Sequence, residues 1–204
     1  MANLDLDPTK TALLCMDMHN AIVGHSPMAQ PRDLVGIVKR ALDGARGAGI
    51  QVIYVVVGRR LDFLSPRNKF TAGTSRIVGA GLEAAERMKI VEALTPLEEE
   101  PIVRKPRINP FYGTELDSLL RAREIDTLLM TGVATNFVVE AAARYAVDAD
   151  YRVIVLEDCC AAFSEEEHTC SIAQIDRLAH VATSADFLES IKHMSGTKPA
   201  NVTR

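Results

Sequence analysis

The sequence predicts an α/β fold: one doubly wound domain around a largely parallel sheet. Three observations predict it. Short apolar runs rich in β-branched residues recur along the chain, amphipathic segments of helical period separate them, and the runs are nearly uninterrupted rather than alternating. Near-continuous apolar strands belong to sheets covered on both faces, and the intervening helices supply the cover. Right-handed crossovers then bring the C-terminal ends of the strands, with the helix N-termini that follow them, to one edge. Ligands bind at that edge in such folds.

The strands come first. Thr11–Met16 (TALLCM) is a short apolar run ending at Asp17, and Gln51–Val57 (QVIYVVV) is the second. Residues 127–131 (TLLMT) and 152–156 (RVIVL) are of the same kind, while 101–103 (PIV) and 180–183 (HVAT) are weaker. Between them lie the helices. Residues 32–47 place Leu34, Val38, Ala41, Leu42 and Ala45 on one face, with Gly49 just past the end. Thr114 is the expected N-cap of a helix over 115–123, and residues 136–147 align Val139, Ala142, Ala143 and Ala146. The run from Ser164 to Glu167 (SEEE) reads as a capping box opening a helix that turns Ile172 and Ile175 inward. Ser184 is the expected cap of a last helix reaching Lys192. Residues 58–100 are weakly patterned, and a stretch of that length is a functional cover or carries short helices of its own. Residues 196–204 are expected to fray.

Composition narrows the function. A chain of 204 residues is enough for one well-packed domain, read here as 1–204. Apolar residues at 48% and charged residues at 25% are ordinary for a globular protein. A net charge of −4 argues against a nucleic-acid partner, which calls for a basic face. No apolar run reaches the ~18 residues of a membrane span, and residues 1–10 lack a signal-peptide core. The expectation is a cytoplasmic protein with a small-molecule substrate, no nucleic acid and no membrane. Cys15, Cys159, Cys160 and Cys170 form no C-x-x-C, and adjacent Cys159 and Cys160 would point to opposite faces of a strand. Reduced, mostly buried thiols are expected.

Three segments carry chemistry. Asp17 ends the first strand at the ligand edge, where it suits acid–base work or caps the following turn. Lys105, flanked by Arg104 and Arg107, stands at another strand end; beside an aspartate it would orient a substrate oxygen, and a solvated charge cluster is the alternative. Residues 132–136 (GVATN) lead from a strand into a helix. Small residues there let a substrate approach the backbone, and helix-start N–H groups suit an oxyanion, although a tight turn alone would look the same. Gly79, Gly81 and Ala84 fit G-x-G-x-x-A, with acidic residues 98–100 downstream, but only the short, barely apolar 75–78 precedes them, so no dinucleotide is expected. A G-x-S-x-G elbow is missing, and His19, His25, His168, His180 and His193 have no compact ligand spacing. Neither a metal nor another cofactor is expected.

Together these segments resemble the isochorismatase-like (cysteine hydrolase) superfamily over residues 11–188. Residues 12–20 (ALLCMDMHN) resemble its strand-one aspartate motif, and 104–107 (RKPR) with Phe111 resemble its lysine motif. The strongest likeness is GVATN over 132–136 with Glu140 on the same helix; residues 148–161 are similar too. The resemblance implies a three-layer α/β/α architecture with a six-stranded, mostly parallel sheet. It implies Asp17 and Lys105 as catalytic residues and a cis peptide at Val133–Ala134 that aims backbone N–H groups into the site. Val133, Ala134, Asn136 and Val138 then become the substrate and oxyanion residues. It also implies a homodimer or homotetramer.

In one respect the chain departs from that pattern. Most members carry a nucleophilic cysteine two residues after the Asn136 position, and here that residue is Val138. Valine cannot attack a carbonyl. Isochorismatases proper also lack the cysteine, and they hydrolyse a vinyl ether with a proton donor and a water. Phe137 and Val138 make the pocket floor apolar, which favours an acid role for Asp17. Cys159 and Cys160 follow another strand, but no helix start is aligned to activate them. The expectation is a metal-independent, non-cysteine hydrolase of a small polar or anionic substrate. Asp17 would be its general acid or base, Lys105 its support, and Arg59, Arg60, Arg67 or Lys69 its carboxylate binders. The alternative is a catalytically inactive family member that binds a small molecule or a protein partner.

Overall fold

The computed structural model describes residues 4–58 and 86–195. Six strands form one sheet in the order β3-β2-β1-β4-β5-β6: β1 Thr11–Met16, β2 Gln51–Val57, β3 Ile102–Lys105, β4 Thr127–Val133, β5 Arg152–Ala161 and β6 His180–Ala182. Every neighbouring pair is parallel. The helices are α1 Asn20–His25, α2 Leu34–Gly47, α3 Leu116–Ala122, α4 Glu140–Asp148, α5 Glu165–Ile175 and α6 Ser184–Ser195. None of the described helices is long and apolar enough to cross a membrane.

Strand side chains alternate between faces, so a strand covered on both sides must be apolar throughout. β1 shows this directly. Leu13 and Cys15 pack with Leu34, Val38 and Leu42 of α2 and Phe187 of α6, while Ala12, Leu14 and Met16 pack with Leu116 and Leu120 of α3 and Ala142 and Ala146 of α4. The result is the expected three-layer α/β/α arrangement. Each fully buried Leu or Met stabilises it by roughly 1.5–3 kcal/mol. Cys159 faces the first layer and Cys160 the second, as an adjacent pair on one strand must.

β1 and β2 have the bounds expected from their apolar runs; β4 and β5 run on further. β4 continues two residues beyond Thr131, and β5 reaches Ala161 with a register shift opposite Met130 to Gly132. Gly132 allows β4 to pass close to β1. Its φ is +146°, and a Cβ there would sit 2.3 Å from the Met16 carbonyl oxygen.

The helix ends correct two expectations. Thr114 does not cap α3 as the flanking residue; Glu115 stands there, and the Thr114 hydroxyl accepts from Leu116 N–H at 3.3 Å. α6 starts at Ser184 with Thr183 as its cap, because Thr183 and Asp186 bond reciprocally: Asp186 N–H donates to Thr183 Oγ1 and Thr183 N–H to Asp186 Oδ2, both at 3.1 Å. Ser184 Oγ donates instead to Asp158. The Ser164 cap is present, accepting from Glu167 N–H at 3.1 Å. The expected helix over 136–147 divides into one π-type turn, Thr135–Val139, followed by α4. Its apolar stripe is buried as expected. The G-x-G-x-x-A match, the basic residues Arg59, Arg60, Arg67 and Lys69, and residues 196–204 lie outside the described residues.

Candidate active site

The last residue of β1 hands the chain to Asp17, which adopts a left-handed backbone with φ +54°. Asp17 N–H donates to Val55 O at 2.8 Å, and Asp17 O accepts from His19 N–H at 2.8 Å, so the residue is held from both sides. Its carboxylate meets the last residue of β3. Lys105 Nζ lies 2.8 Å from Asp17 Oδ2, reaching across the end of β2, whose Val57 is in register with Lys105. Both side chains are buried, Lys105 completely. Lys105 Nζ also donates to Arg107 O at 3.2 Å.

The second carboxylate oxygen differs. Asp17 Oδ1 is buried and accepts no hydrogen bond from any described residue. An unmet buried acceptor costs about 1–3 kcal/mol, and native structures keep few of them. Asn136 Oδ1 is the other such side-chain atom among the described residues.

β4 lies beside β1 with Met16 opposite Gly132, so Val133 at the end of β4 and Ala134 after it stand at the strand end next to that of Asp17. The Val133–Ala134 peptide bond is cis. Ala134 O accepts from Phe137 N–H at 3.1 Å and Val139 N–H at 3.4 Å, closing the turn. Val133, Ala134 and Val138 are buried, and Asn136 is half-buried. Phe137 is 46% exposed, with its ring 6.4 Å from that of Phe163. The structure thus joins Asp17 to Lys105 directly and sets the 133–138 segment at the neighbouring strand end.

Two histidines belong here that spacing alone did not single out. His19 Nδ1 donates to Met88 O at 2.7 Å while Nε2 accepts from Val57 N–H at 3.2 Å, which fixes the neutral tautomer. Burial holds its pKa below the ordinary imidazole value, against the opposing charge of Asp17. On the other side, His168 Nδ1 is 2.8 Å from Thr135 Oγ1, and burial lowers its pKa as well. Among the described residues no group of three or more His, Cys, Asp or Glu is placed to hold a metal ion.

The isochorismatase domain model matches residues 11–186. The chain belongs to the isochorismatase family of hydrolases. It is 32% identical over 195 residues to YwoC, an uncharacterized isochorismatase family protein of Bacillus subtilis, covering 94% of this chain and all of that one. It is 34% identical over 179 residues to the ureidoacrylate amidohydrolase RutB of Agrobacterium fabrum, covering 76% and 77%. A cysteine hydrolase from Pseudomonas syringae pv. phaseolicola superposes with a TM-score of 0.79 at 27% identity, covering 92% of this chain and 95% of that one. N-carbamoylsarcosine amidase from Thermoplasma acidophilum superposes with a TM-score of 0.68 at 28% identity, covering 86% and 96%.

Val138, at the position where the family resemblance places a nucleophile, is 1% exposed and packs among the apolar side chains under α3, α4 and α5. Cys15, two residues before Asp17, is buried beside Leu13 and Tyr54, and burial pushes its thiol up to about 12. Burial raises Cys159 and pushes Cys160 up to about 12. Cys170 is exposed on α5.

Proposed function

We propose that this isochorismatase-family hydrolase cleaves a small polar or anionic substrate without a cysteine nucleophile and without a metal, using Asp17 as its general acid or base. One observation carries the reading. Asp17 keeps Oδ2 on Lys105 at 2.8 Å and leaves a buried Oδ1 with no partner among the described residues. A carboxylate so divided is anchored by one oxygen and can exchange a proton through the other. Lys105 supplies the fixed positive charge beside it. Backbone N–H groups near Ala134 and Val138 hold the oxygen that gains charge. The bond broken is a vinyl ether or a related C–O or C–N bond.

The buried thiols support a route without a cysteine nucleophile. The nucleophile is the thiolate, and a thiol held near 12 is almost wholly protonated at neutral pH. Cys15 is therefore a packing residue under this reading. The same reading takes the chain as one domain over 1–204, acting in the cytoplasm as a homodimer or homotetramer.

The test is hydrolysis of isochorismate, ureidoacrylate and N-carbamoylsarcosine by the wild type and by Cys15→Ala. Turnover of at least one compound, undiminished in Cys15→Ala, supports the proposal. Loss of turnover in a folded Cys15→Ala would assign a thiol mechanism. Tight binding with no turnover of any compound would favour the inactive binder, which the valine at 138 motivates.

A further inference from the structure

Beyond the Asp17–Lys105 pair, the turn that faces it is held from outside by polar groups the proposed chemistry does not use. Thr135, the first residue of the π-type turn, is completely buried, and its hydroxyl lies 2.8 Å from His168 Nδ1 on α5. Glu140, the first residue after the turn, accepts from Ser171 Oγ, one helical turn further along α5, and also pairs with Arg144 at 2.8 Å. His168 and Ser171 are themselves buried. α5 is tied in turn to the rest of the fold through an Arg32–Glu165 ion pair. The π-type turn is thus bracketed: one polar contact at its first residue, another at the residue that follows it, both from the same helix.

We infer that His168 is a positioning residue, acting through Thr135 to fix the turn that presents residues 134–138 to Asp17, with Ser171 and Glu140 fixing its other end. The assignment rests on the site proposed above for its role in turnover, and on geometry alone for its role in holding the turn. A buried hydroxyl needs a partner, and an apolar side chain at 135 would avoid that need and pack as well. What the polar pair adds is direction. A hydrogen bond of 2.8 Å between two buried groups sets the distance from α5 to the turn more narrowly than apolar contact does. π-type turns are rare, wide and often found at functional sites, and this one has a fixed polar contact at each side.

Thr135→Val removes the hydroxyl at nearly constant volume, Thr135→Ser restores it, and His168→Phe removes its partner. Two measurements are made on each: amide hydrogen exchange over residues 135–140, and kcat and KM on whichever of the three compounds the wild type hydrolyses. The expected result is faster exchange confined to 135–140 in Thr135→Val and His168→Phe, with kcat down by roughly 10- to 100-fold and KM little changed. Thr135→Ser should return both to wild-type behaviour. Unchanged exchange over 135–140 would overturn the inference. So would faster exchange spread over the whole chain with kcat intact, which is the mark of a general packing role. Should the wild type turn over none of the compounds, the proposed hydrolysis fails on its own, and local exchange with rescue by Thr135→Ser still decides whether the bracket holds the turn.

Discussion

A buried ion pair contributes little net stability, because desolvating two charges offsets most of their attraction, yet breaking one is costly. That asymmetry governs Asp17 and Lys105. Lys105→Ala leaves the Asp17 carboxylate buried without its counter-charge, and a loss of about 3–5 kcal/mol is expected in urea unfolding. Gly132 sets a second sharp limit. A methyl group there meets the Met16 carbonyl oxygen at 2.3 Å in a backbone region that L-residues avoid, so Gly132→Ala should cost more than ~2 kcal/mol, read as a lower urea midpoint. The three residues also mark what was legible. Asp17, Lys105 and Gly132 stand at strand ends, and strand ends can be read from local hydrophobicity. His19 lies within the strand-one motif and His168 within a helix, and neither shows a role by its spacing. Their partners lie 69 and 33 residues away, so no local pattern shows that each is buried, neutral and hydrogen-bonded.

Elements were more legible in their cores than at their ends. The buried stripe of α2 and the strands β1 and β2 follow from apolar period alone, because tertiary packing needs that period and little else. Caps depend on which of several adjacent Ser, Thr or Asp side chains turns back to the helix. Thr183 and Ser184 compete for one cap, and Asp158, distant in sequence, decides it by taking the Ser184 hydroxyl. The β5 extension answers to its pairing with β4, and the π-type turn to polar contacts with α5, so neither shows in a local apolar period. Where the cap is unambiguous its removal should behave simply. Ser164→Ala deletes the acceptor for Glu167 N–H and should cost about 1 kcal/mol, measured by thermal or urea unfolding.

At the scale of the whole molecule, parallel topology gathers the chemistry. The ends of β1, β3 and β4 bring Asp17, Lys105 and residues 133–138 to one edge, although 88 positions separate the two charged residues. The buried histidines make stability depend on pH. His19 and His168 have folded pKa values below the ordinary 6.5, so the unfolded chain takes up protons first as pH falls. Their neutral form is fully accommodated above about 6.5, and stability drops as pH goes below it. A lower urea midpoint at pH 5 than at pH 7.5 is expected, with a shallower slope in His168→Gln; an unchanged slope would contradict the assignment of that neutral imidazole. In the proposed mechanism, turnover rests on one carboxylate. The most direct measurement is the initial hydrolysis rate of Asp17→Asn against wild type on the compound the wild type turns over, at matched folded protein. A fall of at least roughly 100-fold is expected, since an amide neither gives nor takes the proton. A rate equal to wild type would contradict it.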